Sequence, residues 1–158
     1  ILKISGILFL VVSFLTTYYI REEGLEFFLL IIIICISTDI GGYIFGKFLK
    51  GPKLTKISPN KTYSGMIGGI LLSILISYSS EFIFDFQNQK IFSNLSFVLI
   101  ILFISCVSQI GDLIISIFKR LAKIKNTGNI LPGHGGLLDR IDGMIFVFPL
   151  IFLILFFK

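Results

Sequence analysis

SIFKRLAKIKNTGNILPGHGGLLDRID, residues 116–142, is a polar and Gly-rich segment that lies between two long apolar runs. It contains five of the fourteen Lys and Arg residues of the chain, together with the single His. Such a segment cannot lie in hydrocarbon, because its charged and backbone groups would have no water to bind. Almost everything else in the chain could lie in lipid. We therefore predict that this segment is the part of a membrane protein that faces water.

The composition also predicts a membrane protein. The 158 residues are 55% hydrophobic and 15% charged, with a mean hydropathy of +0.98, which is far too apolar for a soluble domain of this length. Five apolar runs are long enough to be transmembrane helices, which need about 17–25 residues. The runs are Ile1–Ile20, Leu25–Phe48, Gly65–Phe84, Asn94–Phe118 and Ile141–Phe157. We therefore predict an all-α, polytopic transmembrane helix bundle of about five spans that forms a single domain over residues 1–158.

The positive charges fall into two clusters between the apolar runs. The clusters are Lys47, Lys50, Lys53, Lys56 and Lys61, and Lys119, Arg120, Lys123, Lys125 and Arg140. Because cytoplasmic loops of membrane proteins carry an excess of Lys and Arg, both clusters are predicted to be cytoplasmic. The N-terminus would then lie inside and the C-terminus outside, and a polar cavity would face the cytoplasm. Taken alone, such clusters are most often anchors that attract anionic lipid head groups.

Small residues recur every four positions on the second and third runs. Thr38, Gly42 and Gly46 form one ridge, and Gly65, Gly69, Ser73 and Ser77 form another. Ridges of this kind let two helices approach closely. They would serve contacts within one chain or between two copies, so a homodimer stays open. Between the ridges, Ser58 is placed to cap a helix whose first residue would be Pro59.

A polar stripe follows the fourth run at helical spacing. Its members are Ser105, Ser108, Gln109, Asp112, Ser116, Lys119, Arg120 and Lys123. Asp112 lies about two turns inside the span, where a carboxylate costs roughly 2.5–3.5 kcal/mol on insertion scales and therefore requires a partner or a cavity. Asp139 and Asp142, one turn apart before the last run, are its natural companions. Three carboxylates at one mouth of the bundle would suit Mg²⁺, which prefers oxygen ligands; the alternative for each is an ion pair with a nearby Lys or Arg.

The residues around these carboxylates suit phosphate. The second basic cluster supplies cationic donors, and Gly133, Gly135 and Gly136 would let a backbone approach an anion closely. His134 would be either a hydrogen-bonding loop residue or a contact to phosphate. A metal, cations and a Gly-rich loop together are the equipment of phosphoryl or nucleotidyl transfer, in which positioning and charge neutralisation do most of the catalysis.

The same residues resemble the C-terminal signature of the phosphatidate cytidylyltransferase family, also called CDP-diacylglycerol synthases. The signature residues here are Ser116, Lys119, Arg120, Lys125, Gly128, Leu131, Pro132, His134, Gly135, Gly136, Asp139, Arg140 and Asp142. Upstream, the residues that resemble the family are Asp39, Gly42, Tyr43, Gly46, Ser58, Pro59, Lys61, Thr62, Gly65, Gly68, Gly69, Gln109, Gly111 and Asp112. The resemblance covers about residues 39–158. It predicts that N-terminal spans of the family are missing from this sequence, which begins with Ile.

The resemblance implies an enzyme that transfers the cytidylyl group of CTP to phosphatidic acid and releases pyrophosphate and CDP-diacylglycerol. It implies that Asp112 and Asp139 are ligands of Mg²⁺ and that Asp142 supports them. A second cation could bind at the same site. It gives Asp112, Asp139, Lys119 and Arg120 catalytic roles. It also gives substrate-binding roles to Ser58, Lys61, Thr62, Ser116, Lys125, His134, Gly135, Gly136 and Arg140. The expected partners are CTP, phosphatidic acid and the bilayer, with no nucleic acid, and the expected location is the bacterial inner (plasma) membrane with the active site facing the cytoplasm.

Two positions depart from the family pattern. Asn126 stands where the family usually has Asp, and Ser64 stands where it usually has Glu. These departures keep one alternative open, a truncated and catalytically weak membrane homologue. The other alternative is a related CTP-dependent lipid cytidylyltransferase or a lipid kinase with another lipid substrate. A cation channel or transporter would explain Asp112 but would give no purpose to the Gly-rich loop.

Overall fold

The computed structural model describes residues 2–55, 58, 61–84, 94–124, 127, 128, 136 and 138–157. Within these residues the helices are α1 (Leu2–Glu23), α2 (Leu25–Leu49), α3 (Tyr63–Phe84), α4 (Asn94–Leu121), α5 (Leu138–Ile141) and α6 (Met144–Phe156). The described residues contain no β-strand beyond one isolated antiparallel bridge between Lys53 and Thr62. The predicted all-α bundle is confirmed.

Four of the helices, α1 to α4, are long and apolar enough to cross a membrane, and we describe the chain as an integral membrane protein. Their bounds lie within a few residues of the predicted runs. The turn after the first run is shorter than predicted, because α1 continues to Glu23 and only Gly24 separates it from α2. The fifth run begins at the last residue of α5, and only the 13 residues of α6 within it form one continuous helix. This helix is therefore shorter than the predicted span.

The two ridges of small residues pack against each other. A methyl group on Gly65 would lie 2.6 Å from the carbonyl oxygen of Gly42 and 3.3 Å from Cα of Gly46. Further into the bundle, a methyl group on Gly69 would lie 2.7 Å from the carbonyl oxygen of Thr38. Only glycine permits such an approach of two helix backbones, so α2 and α3 form a closely packed antiparallel pair. The ridges therefore serve a contact within one chain.

The polar stripe of α4 faces protein from Ser105 to Lys119, as its spacing predicts, whereas Arg120 and Lys123 at its end are exposed. The hydroxyl oxygens of Ser105 and Thr38 lie 2.9 Å apart and join α4 to α2. The side-chain amide of Gln109 donates to the carbonyl oxygen of Met66 on α3 at 3.2 Å. In lipid these bonds satisfy groups that water cannot reach, so they fix the rotation of α4 about its axis.

Helix α1 is held to α6 at a proline. Pro149 lies inside α6, and because proline has no N–H, the carbonyl oxygen of Ile145 loses its usual donor four residues on. The hydroxyl of Ser13 on α1 lies 2.9 Å from this carbonyl oxygen and supplies a donor. The pair lets an apolar helix contain an internal proline without leaving a carbonyl group unsatisfied in the membrane.

These contacts bring the end of α2 and the starts of α3 and α6 to the bundle around α4. The end of α2 meets the start of α3 at Gly46 and Gly65, and Gly143, just before α6, meets Ser108 near the middle of α4. A buried core lies between the helices on the other side of these contacts. It consists of Ile20, Leu30, Ile31, Ile34, Cys35, Phe97, Ile101, Ile104, Val147, Phe148 and Ile151. The polar residues of the last two turns of α4 consequently face the segments before α3 and α6.

Candidate active site

The segment between α2 and α3 folds back as a hairpin that delivers Lys61 to the bundle. The N–H of Leu54 donates to the carbonyl oxygen of Lys61 at 2.8 Å, and the N–H of Tyr63 donates to the carbonyl oxygen of Pro52 at 3.0 Å. These bonds fix the residues just before α3 against those just after α2. The side chain of Lys61 can then reach the interior at the height of Asp112.

The start of α3 is capped by Thr62, whose hydroxyl accepts the N–H of Gly65 at 3.1 Å. The predicted cap at Ser58 is wrong for this helix, because Lys61 and Thr62 are not helical and α3 begins at Tyr63. Ser58 lies instead in a turn, where its carbonyl oxygen accepts the N–H of Lys61 at 3.1 Å. Pro59 lies outside the described residues.

Ser64, where the family usually has Glu, has a structural contact here. Its hydroxyl accepts the N–H of Gly51 at 3.2 Å and lies 3.0 Å from the hydroxyl of Thr62. The side chain therefore ties the turn after α2 to the first turn of α3. This serine supports the hairpin that carries Lys61.

Lys61 forms an ion pair with the carboxylate of Asp112 across a cavity. The cavity has a volume of about 260 Å³. Its lining residues are Thr38, Asp39, Gly42, Tyr43, Leu54, Lys61, Thr62, Gly65, Met66, Gln109, Asp112 and Leu113. Ser116 is one turn from Asp112, with its hydroxyl 3.5 Å from the carboxylate. Four predicted site residues, Lys61, Thr62, Asp112 and Ser116, are thus brought together.

A second ionic cluster lies beside the first. The ammonium group of Lys119 lies 3.1 Å from a carboxylate oxygen of Asp139 and 3.1 Å from one of Asp142. These side chains are only 13%, 12% and 9% exposed, respectively. Burial and the nearby Asp112 carboxylate raise the pKa of Asp142, and Lys119 opposes this effect. The three predicted carboxylates therefore share one region, and two of them share one cation.

Asp139 also organises the backbone of the Gly-rich segment. Its carboxylate accepts the N–H groups of Thr127 and Gly136, each at 2.9 Å. Burial alone would raise the pKa of Asp139, but these two bonds and Lys119 outweigh it and lower the pKa from 3.8 to about 2. Gly136 is required by close contact, because a methyl group there would lie 2.6 Å from the hydroxyl oxygen of Thr127. Gly136 is one of the three glycines predicted to let the backbone approach an anion, and its N–H is bound here by a carboxylate of the chain itself. Gly133 and Gly135 lie outside the described residues.

The two arginines of the predicted site lie at its rim. Arg120 and Arg140 are exposed, and neither forms an ion pair within the described part of the chain. Exposed guanidinium groups can bind an anion from solution. Lys125, Asn126, His134 and Gly135 lie outside the described residues, so their predicted roles stay predictions.

Asp39 is a cavity residue to which sequence reasoning gave no role. It lies on α2, more than two turns before the end of the helix at Leu49. Its side chain lines the same cavity as the side chain of Asp112. A signal was present in the sequence, because an aspartate inside an apolar run is as costly at position 39 as at position 112. In the structure both carboxylates line one cavity.

The model of the family described as Cytidylyltransferase family matches residues 1–158. The chain belongs to this family. The match begins at the first residue, so it is wider than the predicted resemblance over residues 39–158.

Curated relatives of this cytidylyltransferase chain include proteins named phosphatidate cytidylyltransferase. The protein of Staphylococcus aureus (strain COL) is 42% identical over 145 residues, which cover 91% of this chain and 54% of the relative. The protein of Staphylococcus haemolyticus is 41% identical over 145 residues, with the same coverage. The chain thus spans about half the length of the curated relatives it matches.

The carboxylates of this cytidylyltransferase chain fit a hard cation in type. Lys119 shows that Asp139 and Asp142 converge on one positive charge, since its ammonium group lies equally far from both. Asp112 is near enough to influence Asp142. Within the described residues, no three carboxylate, His or Cys side chains are grouped closely enough to hold one metal ion. The set Asp112, Asp139 and Asp142 therefore stays a predicted metal site, and its oxygen donors are those that Mg²⁺ prefers.

Proposed function

We propose that this chain carries the catalytic centre of a phosphatidate cytidylyltransferase of the bacterial inner membrane, with the centre facing the cytoplasm. The reaction transfers the cytidylyl group of CTP to phosphatidic acid and gives CDP-diacylglycerol and pyrophosphate. The observation that supports it best is the adjacency of two features. A cavity lined by Asp112 adjoins the buried cluster of Lys119, Asp139 and Asp142. The name of the staphylococcal relatives supports the same reaction.

The chemistry needs little covalent participation by the protein. A phosphate oxygen of phosphatidic acid attacks the α-phosphorus of CTP and forms a new P–O bond. The bond between the α-phosphorus and the bridging oxygen breaks, and its electrons leave with pyrophosphate. Catalysis then depends on holding two anions together and neutralising the charge of the leaving group. A site in a membrane bundle allows this while the acyl chains stay in the bilayer.

The cationic side chains would hold the phosphates. Arg120 and Arg140 are exposed at the rim of the site, and guanidinium groups bind phosphate through two parallel hydrogen bonds. Lys119 lies further inside, already paired with Asp139 and Asp142. By the family resemblance Lys125, His134, Gly135, Gly136 and Ser116 would join them. Ser58, Lys61 and Thr62 would help to form the nucleotide or lipid-head-group site.

We propose Asp112, Asp139 and Asp142 as the residues that hold Mg²⁺, and leave room for a second cation. The bound ion would supply charge neutralisation at the phosphates. The chain itself holds the carboxylates in place. Lys119 bridges Asp139 and Asp142, and the N–H groups of Thr127 and Gly136 orient Asp139. A homodimer also stays a prediction, and it would need a surface other than the ridges that join α2 to α3.

The test is formation of CDP-diacylglycerol by the full-length protein in detergent with phosphatidic acid, CTP and Mg²⁺. We expect Asp112→Asn and Asp139→Asn each to lower turnover by a factor on the order of 10² or more, the scale of losing one electrostatic contact to the transition state. Lys53→Ala is the control, because Lys53 is exposed and pairs with Thr62 only through its backbone.

Three results would contradict the proposal in different ways. No product from the wild type, under conditions in which a staphylococcal relative is active, would refute the activity. Turnover with another lipid phosphate but not with phosphatidic acid would indicate a related lipid cytidylyltransferase. Equal losses in all three variants would show that the site is misplaced.

A further inference from the structure

We infer that the cavity beside Asp112 binds the cytosine base, and that Asp39 selects cytosine by accepting a hydrogen bond from its exocyclic amino group. The inference rests on the proposed function and adds a specificity-determining residue to it. Four features carry it: the size of the cavity, the nature of its walls, the pairing of its one ammonium group and the hydrogen-bonding capacity of Asp39.

The size of the cavity suits part of a nucleotide. Its volume is about 260 Å³, just below the range of about 300–1,000 Å³ typical of small-molecule sites. A single base with part of its ribose is a better match to this volume than a whole nucleotide or two acyl chains. The phosphates would then lie outside the cavity, toward the cluster around Lys119 and the rim arginines.

The walls of the cavity suit a flat, partly apolar group. Leu54, Met66 and Leu113 contribute apolar surface, and the ring of Tyr43 stands at the edge. Tyr43 is 68% exposed, and the ammonium group of Lys47 lies 5.6 Å from the centroid of its ring. An aromatic ring with an open face can stack on a base, an interaction that contributes to nucleotide binding without selecting the base.

The charge of the cavity argues against a phosphate inside it. Its lining includes two carboxylates, Asp39 and Asp112, and one ammonium group, that of Lys61. Lys61 forms its ion pair with Asp112, so the described lining offers no unpaired ammonium group to a phosphate. A neutral group with a hydrogen-bond donor can instead pair with the carboxyl oxygens of Asp39.

Asp39 has the chemistry to recognise cytosine. Its side chain is exposed to the cavity, and it makes no hydrogen bond or direct ion pair with any residue in the described part of the chain. A carboxylate accepts hydrogen bonds and donates none when ionised. Cytosine offers an amino group at the position where uracil offers a carbonyl oxygen, and acidic side chains read this amino group in nucleic acids. Asp39 would therefore accept CTP and repel UTP.

The decisive experiment compares CTP with UTP in the full-length protein and in Asp39→Asn. Asn has the shape of Asp, but its amide can donate to the uracil oxygen. We expect the ratio of kcat/KM for CTP to that for UTP to fall by about tenfold or more in the variant. Ser37→Ala is the matched control. Ser37 is buried on the same helix and bonds only to carbonyl oxygens of its own helix, so the ratio should not change.

A binding measurement keeps the test independent of turnover. The rise in melting temperature caused by CTP or UTP, without phosphatidic acid, should favour CTP in the wild type and lose this preference in Asp39→Asn. An unchanged preference in the variant would overturn the inference, and so would a wild type that binds both nucleotides equally. A change in the preference for CTP over dCTP alone would place the ribose at Asp39 and also overturn it. A wild type that binds CTP selectively but forms no CDP-diacylglycerol would refute the proposed function and leave the base subsite standing.

Discussion

Replacing Lys119 by Met should destabilise the fold more than any other single lysine replacement among the described residues. The ammonium group lies 3.1 Å from both Asp139 and Asp142, whose side chains are 12% and 9% exposed. Met keeps most of the length and apolar character of the lysine stem, so the change removes mainly the charge. Removing one partner of a buried ion pair costs about 3–5 kcal/mol, because the other charge is left uncompensated.

The lower end of that range, about 3 kcal/mol, is expected for Lys119→Met. Asp139 keeps its two backbone N–H donors. Asp142 loses its paired cation, so its carboxylate accounts for most of the expected loss. The measurement is the free energy of unfolding in detergent, from reversible denaturant titration at neutral pH. Lys119→Arg should lose much less, since it keeps the charge. Lys53→Met is the control, because Lys53 is exposed and should change the free energy by less than about 0.5 kcal/mol.

The pH dependence gives the same prediction a second readout. In the wild type the pKa of Asp139 is about 2 instead of 3.8, so its stabilising effect is complete above the higher value and is lost as the pH falls toward the lower one. In Lys119→Met the carboxylates lose their cation, so their folded pKa values rise and protonation on acidification relieves the repulsion. The deficit of the variant should therefore shrink as the pH falls from 7 to about 5. A deficit below about 1 kcal/mol, or one that stays constant with pH, would refute the assignment of Lys119 as the shared counter-ion.

Two further predictions concern the packing of the helices. Gly65→Ala should lower the free energy of unfolding by about 1–3 kcal/mol, because its methyl group would lie 2.6 Å from a carbonyl oxygen of α2; Gly6→Ala on α1 has nothing within 4 Å of its methyl group and should be neutral, so equal effects would contradict the ridge contact. Ser13→Ala should cost about 1 kcal/mol, since it leaves the carbonyl oxygen of Ile145 without its donor; an additional change of Pro149→Ala would restore a backbone donor, and failure to recover stability in that double variant would argue against the pairing.

The helices could be predicted from the sequence because the length of an apolar run is set mainly by the thickness of the membrane. A run long enough to cross hydrocarbon must be helical to satisfy its backbone, and the runs fixed α2, α3 and α4 to within a few residues. The last run was less predictable, because its helix begins only at Met144. Asp142 and Gly143, which the prediction included in the span, form the turn between α5 and α6.

The residues of the site could be predicted from the sequence, but the ion pairs between them could not. The periodic stripe placed Asp112 and Lys119 on one face of α4, and the structure confirms that face. The partners of Asp112 and Asp142 could not be assigned, because they depend on how distant segments fold. Lys61 reaches Asp112 only through the hairpin before α3. The cap at Thr62 was missed for a similar reason, since Ser58 followed by proline is an equally good local signal.

The ion pairs around Asp112 and Lys119 are best explained by function. Well-packed apolar side chains would stabilise such a position as well as or better than a buried ion pair, and in a membrane the cost of a carboxylate is higher still. The chain nevertheless places Asp39, Asp112, Asp139 and Asp142 at one end of an otherwise apolar bundle, with Lys61 and Lys119 as their only paired lysines among the described residues. A protein built for stability alone would not concentrate its exceptions to apolar packing at one place. Their concentration beside a cavity is what the proposed nucleotide site requires.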